Sequence, residues 1–295
     1  MVSLKKWFCT LIILFISFGS ITAEAKGSEV YIAIGDSLAA GQTPNRAIDL
    51  SYTDLIAQKL TSTGQLSYYS KGLAFPGYTT ADVLTKIQTD ESKEVLKNAT
   101  LVTISAGAND LLQMVQVNPT SGSIAYQQIY ADFALNNVRK NIDQIIKEVQ
   151  GIAPKAKIYV LGYYFAYPHV RASQKEGIKK ELDRLHTILK NQSEVNGATY
   201  VSVEETFGIN ATTLLPNPAD VHPTLEGYRI MANAFFSQYN SKLVVAQSEL
   251  PEPNPLTFEE ILNKSKEQEE QEKTPVSSSS ELNEYFSLTE LKPLI

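Results

Sequence analysis

Val30-Tyr31-Ile32-Ala33-Ile34-Gly35-Asp36-Ser37-Leu38 is the stretch on which the fold turns. Five consecutive apolar residues, β-branched and aromatic among them, suit a short strand buried on both faces. Gly35 ends the run, and Asp36-Ser37 follows at once with side chains that favour a helix start. A buried strand that runs straight into a helix start reads as the first unit of a parallel sheet.

The same alternation continues downstream. Leu66 to Ser70, Leu101-Val102-Thr103-Ile104-Ser105, Lys157 to Leu161 and Thr199 to Val203 read as further strands. Helical spacing of apolar residues predicts helices over Tyr52 to Leu60, Thr80 to Ile87, Tyr126 to Val149, Ser173 to Val195 and Leu225 to Tyr239. Thr79 or Thr80 is expected to cap the second of these, and Ser173 with Glu176 to form a capping box on the fourth. In the long helix, Ile129, Phe133, Val138, Ile142, Ile145 and Val149 fall on or near one face. Strands alternating with amphipathic helices imply an α/β fold, a parallel central sheet covered on both faces.

Both ends of the chain differ from this middle. Lys5 and Lys6 precede an apolar stretch from Trp7 to Ile21, and Thr22-Ala23-Glu24-Ala25 supplies small residues after it. This is the layout of a secretory signal peptide over residues 1–25, cleaved near Ala25, which implies a secreted protein. The stretch is shorter than the ~20 residues of a spanning helix, so no stable membrane span is expected after cleavage. The single cysteine, Cys9, lies inside it, so the mature chain is expected to have no disulfide.

From Glu249 the composition shifts to a proline-rich linker, Leu250 to Pro255, then an acidic run and a serine tract. Residues 249–295 hold eleven Glu against four Lys, which outweighs the net charge of -6 of the whole chain. The folded domain is therefore placed at 26–248, nearly neutral, with an acidic and mostly disordered tail after it. A short helix is expected within that tail over Thr257 to Gln268. A domain without a basic face gives no sign of a nucleic-acid partner.

Three segments carry chemistry, and each follows a strand or opens a helix. They are Gly35-Asp36-Ser37-Leu38, Gly107-Ala108-Asn109-Asp110 and Asp220-Val221-His222-Pro223. In a parallel sheet such points converge beyond the carboxyl ends of the strands. A serine, an asparagine and a histidine with an acidic neighbour are the parts needed for acyl transfer. Ser37 needs a base to become a nucleophile, and His222 has the right basicity near neutral pH. Pro223 keeps His222 on the loop before the last helix. Each residue alone also has a plain structural reading. Asp36 or Ser37 caps a helix, Asn109 caps another, Gly77 makes a Pro-Gly turn, and Asp220 caps the last helix. Of the other histidines, His186 falls mid-helix, and His169 falls in a tyrosine-rich loop that borders the cleft. No metal or cofactor signature is present in the sequence.

Four blocks in order carry a family resemblance. They are Ile34-Gly35-Asp36-Ser37-Leu38, Pro76-Gly77-Tyr78-Thr79-Thr80, Ile104-Ser105-Ala106-Gly107-Ala108-Asn109-Asp110 and Asp220-Val221-His222-Pro223. Over most of residues 29–240 the chain resembles the SGNH hydrolases, also called GDSL esterases and lipases. The resemblance implies a three-layer α/β/α, flavodoxin-like fold and a serine ester hydrolase. It implies Ser37 as nucleophile, His222 as base, and an oxyanion hole from the N–H groups of Ser37 and Gly77 and the amide of Asn109. The common pattern has an acid three residues before the histidine, a position that Ala219 fills here. Asp220, two residues before, is expected to take that role instead, while Asp110 is expected to support its loop.

The loop Gly162-Tyr163-Tyr164-Phe165-Ala166-Tyr167-Pro168, with Leu38, Tyr78, Leu111, Leu112 and Met114, supplies apolar candidates for cleft walls. An apolar cleft suits the acyl chain of a small-molecule or lipid ester, as in a lipase or lysophospholipase-like acylhydrolase. Aromatic loops also suit sugars, so an O-acetyl carbohydrate or cell-wall esterase is the alternative. An inactive binding member of the family is a third reading.

Overall fold

The computed structural model describes residues 28–251. The expected signal peptide, the helix over Thr257 to Gln268 and nearly all of the acidic tail lie outside the described residues.

In chain order the elements are β1 Glu29–Gly35, α1 Ser37–Ala40, α2 Tyr52–Ser62, β2 Leu66–Ala74, α3 Thr80–Ile87, α4 Asp90–Leu96 and β3 Leu101–Ser105. There follow α5 Ala108–Leu112, β4 Gln116–Asn118, β5 Ser123–Ala125, α6 Gln128–Ile152 and β6 Lys157–Leu161. The last are α7 Ala172–Val195, β7 Thr199–Val201, α8 Glu204–Phe207 and α9 Leu225–Tyr239. Five strands form one sheet in the order β2-β1-β3-β6-β7, and every pairing in it is parallel. Helices α2 and α9 pack together on one face, and α3, α6 and α7 pack on the other. This is the expected three-layer α/β/α arrangement.

The strand order sets the site. The chain moves from β1 outward to β2, then returns to place β3 on the other side of β1. Such a reversal leaves a crevice at the carboxyl ends of the two central strands. Gly35 and Ser105 end β1 and β3 side by side in register. A Cβ on Gly35 would lie 2.1 Å from the Ser105 carbonyl oxygen, and φ there is +146°. Only glycine lets the two strand ends approach this closely.

Several local expectations need correction. Helix α7 begins at Ala172, with Arg171 at its cap and no side-chain cap bond, so Ser173 and Glu176 make no capping box. The Arg171 N–H is instead held by the Gly122 carbonyl at 3.0 Å. Among the described residues, capping boxes form from Ser51 with Asp54 on α2 and from Thr79 with Asp82 on α3. On α6, Val138, Ile142, Ile145 and Val149 are buried as expected, but Ile129 is 67% exposed and Phe133 66%. The first turns of α6 project past the edge of the core. Contacts also run past the expected domain boundary at 248. Glu249 pairs with Lys59 at 2.9 Å, and Leu250 packs on the main core.

Candidate active site

Ser37 stands at the first residue of α1, directly after β1. Asp36 caps this helix by accepting the Leu38 N–H at 3.0 Å, and Gly41 closes it in the left-handed conformation. A turn this tight between strand and helix turns the Ser37 hydroxyl toward the loop that carries His222. The Ser37 Oγ to His222 Nε2 distance is 2.7 Å. The other ring nitrogen, Nδ1, lies 2.7 Å from Asp220 Oδ1. That same carboxylate oxygen also accepts the His222 backbone N–H at 2.8 Å.

A carboxylate only accepts, so Nδ1 carries the ring proton and Nε2 is left to accept from the serine hydroxyl. Two residues of separation are enough because Asp220 bends around its own loop and binds both the backbone and the ring of His222. Asp220 does not cap α9, since Thr224 holds that position and accepts from Gly227 N–H. The Tyr164 hydroxyl donates to the Val221 carbonyl at 2.7 Å and pins the loop between the two residues.

Asn109 lies in the first turn of α5 and lines the same cleft as Ser37 and His222. Its Nδ2 donates one hydrogen to the Tyr78 carbonyl at 2.9 Å, which leaves the second amide hydrogen for another acceptor. That bond ties Asn109 to the loop carrying Gly77, whose φ is +83°. Asp110 supports the same loop, as expected, by accepting from Thr80 N–H at 2.9 Å and Thr80 Oγ1 at 2.7 Å. Among the described residues neither the Ser37 N–H nor the Gly77 N–H donates to a protein group. Gly77 itself does not line the cleft with Ser37, Asn109 and His222.

Behind the serine lies a buried network that reading the sequence missed. The Asp36 carboxyl is 1% exposed. It accepts from Leu38 N–H, from Ser105 Oγ at 2.7 Å and from the Tyr163 hydroxyl at 2.7 Å. Burial pushes its pKa above 3.8, against the pull of these hydrogen bonds and of nearby His222. The carboxyl thereby joins the ends of β1, β3 and β6 beneath the nucleophile. The acid directly before the candidate serine was the signal available in the sequence; its burial and its partners were not.

The cleft occupies about 930 Å³, open mouth included. Leu38, Leu111, Leu112 and Met114 line it, as does the run Tyr163 to Tyr167. Tyr78, expected there, is not among its lining residues and stacks on Phe75 instead, with ring centroids 4.8 Å apart. His169 is outside this cleft and sits 2.7 Å from the Leu215 carbonyl through Nε2. His186 is half-buried; it accepts the Tyr163 N–H at 3.2 Å and pairs with Glu204 at 3.0 Å. Burial lowers its pKa. Asp183, His186 and Glu204 converge to within 4.8 Å, but the Lys179 ammonium already pairs with both carboxylates there.

Residues 33–230 match the model of the GDSL-like Lipase/Acylhydrolase family. The chain belongs to this family. As a GDSL-like acylhydrolase it is a carboxylic ester hydrolase. It is 22% identical over 242 residues to the uncharacterized protein YpmR of Bacillus subtilis, covering 77% of this chain and 92% of that protein. Its fold is similar to that of the lipase Lip_vut3 from a goat rumen metagenome. The TM-score there is 0.59 at 20% identity, over 71% of this chain and 97% of that one. It is also similar to a variant of Axe2, an acetyl xylan esterase from Geobacillus stearothermophilus. Here the TM-score is 0.56 at 17% identity, over 75% and 99%. These two likenesses concern the fold of the GDSL-like domain.

Proposed function

We propose that this GDSL-like acylhydrolase is a secreted serine esterase that hydrolyses carboxylic esters through an acyl-enzyme on Ser37. The continuous chain of hydrogen bonds from Asp220 through His222 to Ser37 carries this reading. His222 Nε2 takes the hydroxyl proton as Ser37 Oγ attacks the ester carbonyl carbon. Asp220 holds the ring and stabilises the imidazolium that forms. The negative charge that develops on the carbonyl oxygen is met by the Ser37 N–H and the spare hydrogen of the Asn109 amide, while the Gly77 expected beside them lies outside the cleft lining. The imidazolium then protonates the leaving alkoxide oxygen, and the carbonyl reforms as the acyl-serine ester. In the second half a water attacks that ester and gives its proton to His222; the Ser37 Oγ–carbon bond then breaks, His222 returns the proton to Ser37 Oγ, and the acid is released.

An export role rests on the amino-terminal layout of two lysines, an apolar stretch and Ala23-Glu24-Ala25. The direct test is a panel of nitrophenyl esters, lysophospholipids and acetylated sugars given to the purified mature chain and to Ser37→Ala. Turnover by the parent and a loss of ~10³-fold or more in the variant are expected. Retention of activity within tenfold in the folded variant rejects the assignment.

A further inference from the structure

The cleft beside Ser37 continues beyond the reacting groups as a gap between two apolar clusters. One wall belongs to the main core and includes Leu38, Tyr163, Tyr164 and Leu185. The other is a separate small cluster of Ile124, Phe165 and Val170, against which Ile178 packs. Leu182 packs against both clusters and so spans the gap.

The second wall exists because the hairpin β4–β5 is fastened to α7. Ile124 N–H donates to Gln174 Oε1 at 3.0 Å, and Gln174 Nε2 donates back to the Ile124 carbonyl at 2.7 Å. Arg171 Nε adds a bond to the Ser121 carbonyl at 2.8 Å. These bonds hold Ile124 over the gap from outside the sheet.

The carboxylates in these walls and the hydroxyls of Tyr163 and Tyr164 are already engaged. Asp36 is saturated by Leu38, Ser105 and Tyr163. Glu181 accepts from Gln128 Nε2 at 3.1 Å and from Arg184 Nη1 at 2.7 Å. The Tyr163 and Tyr164 hydroxyls are spent on Asp36 and Val221. A sugar ring placed here would lose water from its hydroxyls against largely apolar walls. An alkyl chain loses nothing and gains burial.

We propose that this gap is the acyl pocket, that it takes an aliphatic acyl chain well beyond acetyl, and that Leu182 and the hairpin residue Ile124 set its length limit. This rests on the serine-esterase reading above. The lining runs from Ser37 and Leu38 to Ile124, Phe165, Ile178 and Leu182, more apolar wall than the single methyl of an acetyl group can touch.

The test is kcat/KM for nitrophenyl acetate, butyrate, hexanoate, octanoate and decanoate, in the parent and in Leu182→Trp and Ile124→Ala. Each buried methylene is expected to raise kcat/KM by about fourfold until the pocket is full, so octanoate should exceed acetate by at least ~100-fold. Leu182→Trp should lower the octanoate-to-acetate ratio by at least about tenfold, and Ile124→Ala should move the optimum toward longer chains. If the bulky variant fails to fold, labelling rates of the parent by fluorophosphonates of rising alkyl length carry the same test and should rise in the same order. A flat profile or an acetate optimum in an active enzyme overturns the acyl pocket alone. A folded Leu182→Trp with an unchanged ratio removes Leu182 from it. Absence of both turnover and phosphonate labelling overturns the esterase reading with it.

Discussion

Replacing Asp220 by Asn removes one negative charge while keeping a group able to accept the same two N–H bonds. Asp220 Oδ1 stands 2.7 Å from His222 Nδ1, and both side chains are only 11% exposed. At that distance and an effective dielectric of about 20, a full carboxylate attracts an imidazolium by roughly 6 kcal/mol. The neutral ring of the resting enzyme feels little of this, so most of it acts as the proton moves. Some of it is recovered by the amide dipole and by water at the loop. At about 1.4 kcal/mol per tenfold, a loss of ~10³–10⁴ in kcat/KM is expected. The Tyr164 bond to Val221 and the Thr224 cap should hold the loop in place, so the thermal midpoint should barely move. The assay is steady-state hydrolysis of a nitrophenyl ester beside a melt of each protein. A fall of less than tenfold in a folded variant would refute the role of Asp220 and leave Ser37 and His222 as a dyad.

Other predictions follow from the same geometry. Asn109→Ala should lower kcat by about 10²–10³ with little change in KM, because its spare hydrogen meets charge only in the transition state; an effect on KM alone would make it a substrate-binding group. Asp36→Asn bears on stability and pH together. Burial raises the Asp36 pKa above 3.8, so its contribution to stability is full below that value and is lost as pH rises through the raised one. The Asn variant lacks that loss, so its melting midpoint relative to the parent should climb with pH across this window; a constant difference contradicts the reasoning. Gly35→Ala forces a Cβ to within 2.1 Å of a backbone oxygen and should cost about 3 kcal/mol or more, read by denaturant unfolding. A near-neutral result would mean that β1 and β3 part more easily than their register implies.

The elements that position the site were legible because their signals are local and strong. The apolar runs before Gly35 and Ser105 are strands at the centre of the sheet, and Leu225 to Tyr239 is a helix with the bounds read from its pattern. What was not legible depends on neighbours distant in sequence. The hairpin of Gln116–Asn118 and Ser123–Ala125 has only three residues in each strand, so periodicity is silent there. It is bound to α7 through Gln174, fifty residues away. Ser173 and Glu176 have the spacing of a capping box, yet α7 starts one residue earlier because the Gly122 carbonyl takes the Arg171 N–H. Ile129 and Phe133 keep helical register with the buried face of α6 but extend beyond what the core covers.

The site divides in the same way. Ser37, Asn109 and His222 stand at strand ends or a helix start, where an α/β fold gathers chemistry, and they line one cleft. Asp220 required the loop itself, since spacing alone does not show that one oxygen accepts from both the backbone and the ring of His222. The bonds of Tyr163 and Ser105 to Asp36 were not visible in the sequence, where the first had read as a wall residue and the second as a strand end.

The claim at the centre is that Ser37 becomes covalently acylated. The most direct measurement is to treat the purified protein with an alkyl fluorophosphonate and locate the adduct by intact-mass and peptide mass spectrometry. A nucleophile activated by His222 at 2.7 Å predicts a single adduct per chain, on Ser37, formed with loss of esterase activity and absent from Ser37→Ala. An adduct on another residue, or unchanged labelling of the Ser37→Ala variant, would contradict the account.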